Sequence, residues 1–130
     1  MSYRFTATLK SGYLHCVVNG ENSVENVTRY MSDVYGACIK NHCPNVLMEK
    51  NLTGPGLKLM EIYSLVSEGS QKTWPHVKRI AYVDNNPEHS ESNTHFGETV
   101  ARNRGVLVRS FRTVEDAEQW LQGELGTEPE

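Results

Sequence analysis

Residues 77–121, VKRIAYVDNNPEHSESNTHFGETVARNRGVLVRSFRTVEDAEQWL, read as strand, loop, helix, strand, helix, and that order constrains the chain more than any other stretch. The dense Ile80-Ala81-Tyr82-Val83 run lacks a polar face, which is the pattern of a strand covered by helices on both sides. Asp84 stands at its C-terminal end. From Asp84 to Ser92 the chain is rich in Asn, Pro, Ser and acidic residues, so it reads as a loop leading to a helix cap at Ser92, Asn93 or Thr94. Phe96 and Val100 anchor that helix, and Gly105 supplies a left-handed terminus just past the basic Arg102 and Arg104. A strand over 106–111 follows. Thr113 then caps a final helix that turns Val114, Ala117, Trp120 and Leu121 inward and stops at Gly123.

The upstream half supplies the partners such a unit needs. Tyr3, Phe5, Ala7 and Leu9 alternate with Arg4, Thr6, Thr8 and Lys10, the period of a half-buried strand with its odd face toward the core. Ser11-Gly12 turns the chain into a second β-rich segment, 13–18, and Asn19-Gly20 ends the hairpin. Asn22 or Ser23 caps the first helix, where Val24, Val27, Met31, Val34 and Cys38 recur at helical spacing and Glu25, Arg29 and Asp33 face water. Pro44 stops that helix, and Val46-Leu47-Met48 reads as a short central strand. Residues 51–56 form a loop whose Thr53 caps a second helix with Leu59, Ile62, Tyr63 and Val66 buried and an end near Gly69. The order is ββαβαβαβα, an α/β domain with a mostly parallel central sheet, an N-terminal antiparallel hairpin and flanking helices. One domain over 1–122 is expected, with 123–130 as a frayed tail.

Composition narrows the functions open to this scaffold. A formal charge of -3, with Lys and Arg scattered, leaves no basic face for nucleic acid. Cys16, Cys38 and Cys43 are an odd number in a chain able to bury its own core, which argues for reduced thiols and a cytoplasmic location. The alternating N-terminus is no apolar signal region, and no window approaches a membrane span, so neither secretion nor membrane insertion is expected.

Together the hairpin, VLMEKNLTGPGLKLMEIY, RIAYVD and ARNRGVLVRSFRTVEDAEQWL resemble the STAS-like fold, the anti-sigma-factor-antagonist type of domain, in an uncharacterised bacterial branch, and more loosely its lipid-transfer-like relatives. The closing T-V-E-D-A-x-x-W-L carries the resemblance furthest. In antagonist members a phosphorylatable hydroxyl sits in an Asp-Ser-Ser-Gly loop before the second helix, where phosphate alters the partner-binding surface. Here the matching residues are Asn51, Leu52, Thr53 and Gly54. Asn51 replaces the acid and Leu52 the acceptor, leaving the Thr53 hydroxyl one position late, and a helix cap is its favoured role.

No catalytic or cofactor spacing stands out. Cys38, His42 and Cys43, even with His15 or Cys16, lack the paired halves of a zinc site, and Gly54-Pro55-Gly56 lacks the lysine of a phosphate loop. Asp84, His89 and His95 gather at a strand C-terminus, the edge where open α/β sheets bind ligands, although caps and solvated loop residues are the plainer reading. Trp74 is expected over a sheet edge. The resulting expectation is a non-enzymatic protein-interaction or regulatory module. The alternative is a binder of a small or lipid-like molecule with a pocket beside the second helix, and an enzyme built on the Asp84–His95 loop stands third. Asn51, Thr53, Gly54, Asp84, His89 and His95 are the candidate ligand or partner contacts, with no metal or cofactor, and a homodimer is compatible with this reading.

Overall fold

The computed structural model describes residues 3–73 and 76–126. β1 (Arg4–Leu9) and β2 (Leu14–Glu21) form the antiparallel hairpin, and β3 (Asn45–Thr53), β4 (Arg79–Asp84) and β5 (Leu107–Phe111) add in parallel. Strand order in space equals order in sequence, β1-β2-β3-β4-β5. The three crossovers, α1 (Val24–Asn41), α2 (Leu59–Thr73) and α3 (Glu91–Arg102), therefore all step the same way across the sheet. Right-handed connections place all three on one face. The closing helix α4 (Val114–Gly126) covers the other, so the sheet divides two cores: Leu14, Val46, Val34 and Ala101 belong to the larger, and Leu47, Ala81, Ala117 and Leu121 to the smaller.

Local signals explain most boundaries. Ser23 caps α1 by accepting from Asn26 N at 3.1 Å, and Thr113 caps α4 by accepting from Asp116 N at 3.1 Å. Gly105, at φ 97°, closes α3: its N–H donates to Arg102 O and that of Val106 to Ala101 O, both at 3.0 Å. His42 does the same for α1 without being glycine. It sits at φ 50°, with His42 N donating to Ile39 O and Cys43 N to Cys38 O. The apolar contact that accompanies such a cap falls to Cys38 and Cys43, both buried in the larger core. These thiols serve packing; burial pushes the Cys38 thiol, like that of Cys16, up to about 12.

Several elements depart from the sequence reading. β3 is nine residues, not three, because β4 pairs with it through Lys50 and β2 carries it on to Thr53, which faces Glu21 in register. Thr53 is consequently a strand end and no cap: its hydroxyl donates to Gly20 O at 3.2 Å, five residues before α2 begins at Lys58–Leu59. Glu61 takes over at that helix start by accepting from Lys58 N at 2.9 Å. α2 keeps Ile62 and Val66 inward but exposes Leu59 and Tyr63 and buries Ser67 and Ser70 instead, and it passes Gly69 to reach Thr73. α3 is capped by Ser90, earlier than expected, and α4 passes Gly123 to end at Gly126. Of the odd-numbered face over residues 3–9 only Tyr3, just before β1, and Phe5 pack on the core, whereas Leu9 is 55% exposed at the uncovered end of this edge strand. Val24, expected in the α1 stripe, is exposed as well. Trp74 lies outside the described residues.

Candidate functional site

Three helices on one sheet face leave a cavity of about 190 Å³ beneath α2. Its walls are apolar over most of their extent: Val46, Met48 and Ile80 rise from the strands, Met31 comes from α1, and Ile62 and Val66 from α2. Two glycines set how closely the helices approach: a Cβ added at Gly69 would clash with Met31 Cε, and one added at Gly97 of α3 would meet Ile62 Cγ2 and Val66 Cγ2 at 3.4 and 3.8 Å.

The period-2 pattern of the strands carries charge to one end of this apolar space. In β3 the inward residues run Val46, Met48, Lys50, Leu52, and in β4 they run Ile80, Tyr82, Asp84. Lys50 and Asp84 are opposed in the parallel ladder, so the two charges meet on the cavity side. Their Nζ–Oδ2 separation is 3.7 Å, with side chains only 9% and 12% exposed. Burial drives the Lys50 ammonium below its ordinary value of 10.5, and the attraction of Asp84 offsets part of that shift.

His89, in the loop after β4, completes the cluster. Its side chain is 6% exposed, with Nδ1 at 2.6 Å from Asp84 Oδ2 and Nε2 at 3.0 Å from the Gly54 carbonyl oxygen. Both ring nitrogens thus face oxygen acceptors, and only the doubly protonated imidazolium donates from both. The Tyr82 hydroxyl points to Asp84 Oδ2 at 3.5 Å and is hydrogen-bonded to that of Tyr30 on α1. Burial raises both phenols, so each remains a neutral hydroxyl. Four polar donors, Lys50, His89, Tyr30 and Tyr82, surround a single carboxylate.

Side-chain amides hold the rim. Asn86 Nδ2 donates to Leu52 O and Gly54 O, both at 3.0 Å, while Asn86 N donates to Asp84 Oδ1 at 3.0 Å. Asn22 Nδ2 donates to Pro55 O at 2.9 Å, and Asn93 Nδ2 to Leu57 O at 3.4 Å. The 54–57 segment before α2 is therefore pinned by side chains of the β2–α1 connection, the β4–α3 loop and α3. Asn22 Oδ1, buried at the same cavity, has no hydrogen-bond partner among the described residues.

Of the sequence candidates, Asp84, His89 and Gly54 come together here. His95 is exposed on α3 and takes no part. Asn51 faces away from the cavity, where its Oδ1 accepts from Asn85 Nδ2 at 2.6 Å, and Thr53 is exposed at the strand end. The plainer reading of Asp84 and His89 as solvated loop residues is corrected by their burial and mutual bond. Lys50, Tyr82 and Tyr30 were missed. A lysine two positions beyond Met48 on an apolar strand face is the signal that finds the site, and it shows only once β3 is known to continue past Met48.

No family model matches the chain, and no curated protein matches it. Among solved structures it is similar to an uncharacterised protein of the DUF3478 family with a SpoIIAA-like fold from Shewanella loihica PV-4, at a TM-score of 0.54 and 17% identity, over 92% of this chain and 93% of that one. The fold is SpoIIAA-like, the STAS-like arrangement that the sequence resembles. At this identity the likeness extends to the fold and not to the site.

Proposed function

We propose that the protein is a non-enzymatic module that binds a small, largely apolar molecule in the cavity beneath α2. The observation that carries this reading is the cavity itself: about 190 Å³ of space walled by aliphatic side chains, with its polar groups gathered at one end. Natural cores are packed without voids much larger than a water molecule, and a dry apolar cavity of about 150 Å³ admits benzene. Leaving such a volume unfilled costs stability, on the order of 24 cal/mol per Å³, which a bound molecule would restore. A binding role rather than a catalytic one is supported by His89, whose two nitrogens are both occupied by acceptors and leave no lone pair for a base.

Native mass spectrometry of freshly purified protein tests the reading. A retained small molecule, lost on denaturation and absent from a Val66→Phe variant that fills the cavity from α2, is the expected result. Absence of any retained mass, together with no movement of cavity-residue amide resonances on adding short alcohols or benzene, would refute it.

A second reading, a protein-interaction or regulatory module of STAS-like type, is favoured by a separate surface. Leu59, Met60 and Tyr63 of α2 and Phe96 of α3 are exposed, Met60 to 72%, and the Tyr63 and Phe96 rings lie 6.5 Å apart between centroids. Such a patch suits a protein partner. Because it lies on the helix that roofs the cavity, occupancy would be able to adjust it. Co-purification of one partner with the native chain but not with a Met60→Glu, Tyr63→Lys variant supports this role, and equal recovery by both excludes the patch.

A further inference from the structure

The charges at the polar end do not balance. Asp84 contributes one negative charge and Lys50 one positive charge, and the contacts of His89, Nδ1 against Asp84 Oδ2 and Nε2 against the Gly54 carbonyl oxygen, are those that suit an imidazolium, which we count as a second positive charge. Among the described residues no other acid lines the cavity: β3, β4, α1 and the β4–α3 loop supply Lys50, Tyr82, Asp84, Tyr30 and His89, the β2–α1 connection, α2 and α3 add no charged side chain, and Glu49 points to the opposite sheet face toward His15 at 3.0 Å. A surplus cation in an apolar enclosure is unfavourable unless an anion completes it. The lysine is also short of acceptors. Its ammonium carries three donors, yet its carboxylate partner stands at 3.7 Å, beyond a good hydrogen bond, and is already engaged by His89 at 2.6 Å. The two phenols add neutral donors on the same side.

Resting on the reading that the cavity holds a ligand, we propose that its polar end receives the carboxylate of a small monocarboxylic acid whose apolar part fills the space between the sheet and α2. The carboxylate supplies the missing negative charge and accepts from Lys50, with Tyr30 and Tyr82 at hand as further donors, while Val46, Ile62 and Val66 enclose the tail. Scaling from benzene in about 150 Å³, the volume suits roughly eight non-hydrogen atoms. A medium-chain fatty acid or a simple aromatic acid has that size. A membrane-lipid acyl chain of full length does not fit, and a dicarboxylate or a phosphate monoester would bring more charge than the cluster lacks.

Calorimetric titration of four probes of equal length, hexanoate, hexanol, hexanamide and hexylamine, tests the assignment on protein refolded from denaturant. A charge-assisted hydrogen bond predicts hexanoate binding roughly 10- to 100-fold more tightly than hexanol. Lys50→Met should collapse that ratio to near one, and the exposed Thr53→Ala should leave it intact. His89→Gln, which keeps one donor but not the charge, serves as a second variant should Lys50→Met fail to fold, and should lower the ratio at least several-fold. Equal affinity for hexanoate and hexanol overturns the carboxylate assignment while the apolar cavity reading stands. Preference for hexylamine overturns it too, making Asp84 the recognition group. Binding of none of the four overturns both readings.

Discussion

Replacing Lys50 by methionine is expected to stabilise the ligand-free protein. Methionine keeps the unbranched stem that packs between Val18 and Asp84 in the ladder but removes the ammonium. At 3.7 Å and an effective dielectric near 20, the Lys50–Asp84 attraction is about 4 kcal/mol. Against it stand the loss of hydration of a nearly buried ammonium, several kcal/mol in itself, and repulsion from the imidazolium of His89. The downward displacement of Lys50 shows that desolvation outweighs the attraction. Because Asp84 keeps His89 at 2.6 Å after the substitution, no charge is orphaned, and a gain on the order of 1–3 kcal/mol follows. With a urea slope of about 1.5–2 kcal/mol/M, the midpoint should rise by roughly 1 M at neutral pH.

The pH dependence carries the sign. A lysine whose folded value lies below 10.5 binds fewer protons in the folded state than in the unfolded state between those two values, so its contribution is complete above 10.5 and is lost as pH falls through the folded value. The advantage of Lys50→Met is therefore largest at the acidic side of neutrality and shrinks as pH rises toward 10.5. Burial raises Tyr30 and Tyr82 in both proteins, and the comparison removes their contribution. Asp84→Asn should do the reverse, leaving two buried cations unpaired at a cost of about 3–5 kcal/mol. A Lys50→Met variant less stable than the native chain by more than about 1 kcal/mol, or with an advantage that grows with pH, would refute the surplus-charge reasoning.

His42→Gly should stabilise by roughly 0.5–1 kcal/mol, since it relieves a side chain held at φ 50°, and chemical denaturation measures it. Gly105→Val should cost about 1 kcal/mol or more at φ 97°, and an unchanged midpoint would count against that cap. Gly97→Ala should gain up to about 1 kcal/mol of helix propensity, because the new methyl meets Ile62 and Val66 at ordinary contact distance, and a lower midpoint would show that α2 and α3 cannot give way. Thr53→Ala should change stability by less than about 0.5 kcal/mol, where a cap would have cost more.

What the sequence made legible follows from where its signals are local. Element order, the Gly105 terminus and the Thr113 cap rest on contacts within a few residues, and all are present; the parallel sheet follows from that alternating order of strands and helices. The errors that hid the site gathered at residues 49–58, where local and tertiary preferences conflict. Asn51, Thr53 and Gly54 read as turn residues, yet the ladder with β2 holds the chain extended through Thr53 after that with β4 ends at Lys50. A three-residue strand hides the inward alternation that continues to Lys50, and so the site's central cation went unnoticed. His89 was found for its position at a strand end, whereas its burial depends on Gly54, 35 residues away, which no periodicity reveals.

The two faces of the sheet explain why the cavity stands where it does. On one face a single helix, α4, lays Ala117 and Leu121 over Leu47, Ala81 and Val83, and all five are fully enclosed. On the other, three helices must cross successive strand pairs, and their own contacts set their separation: Gly69 lets Met31 of α1 approach α2, and Gly97 lets α3 approach it from the opposite side. With the helices so spaced, larger residues at 48, 66 or 101 would close the gap. Met48, Val66 and Ala101 leave it open, and Lys50 and Asp84 place charge at inward positions where apolar residues would be the stabilising choice. Each departure from close packing or from an apolar core costs free energy locally. All of them fall on one face, at one cavity, which is the distribution expected of a binding site and not of scattered imperfections in a core.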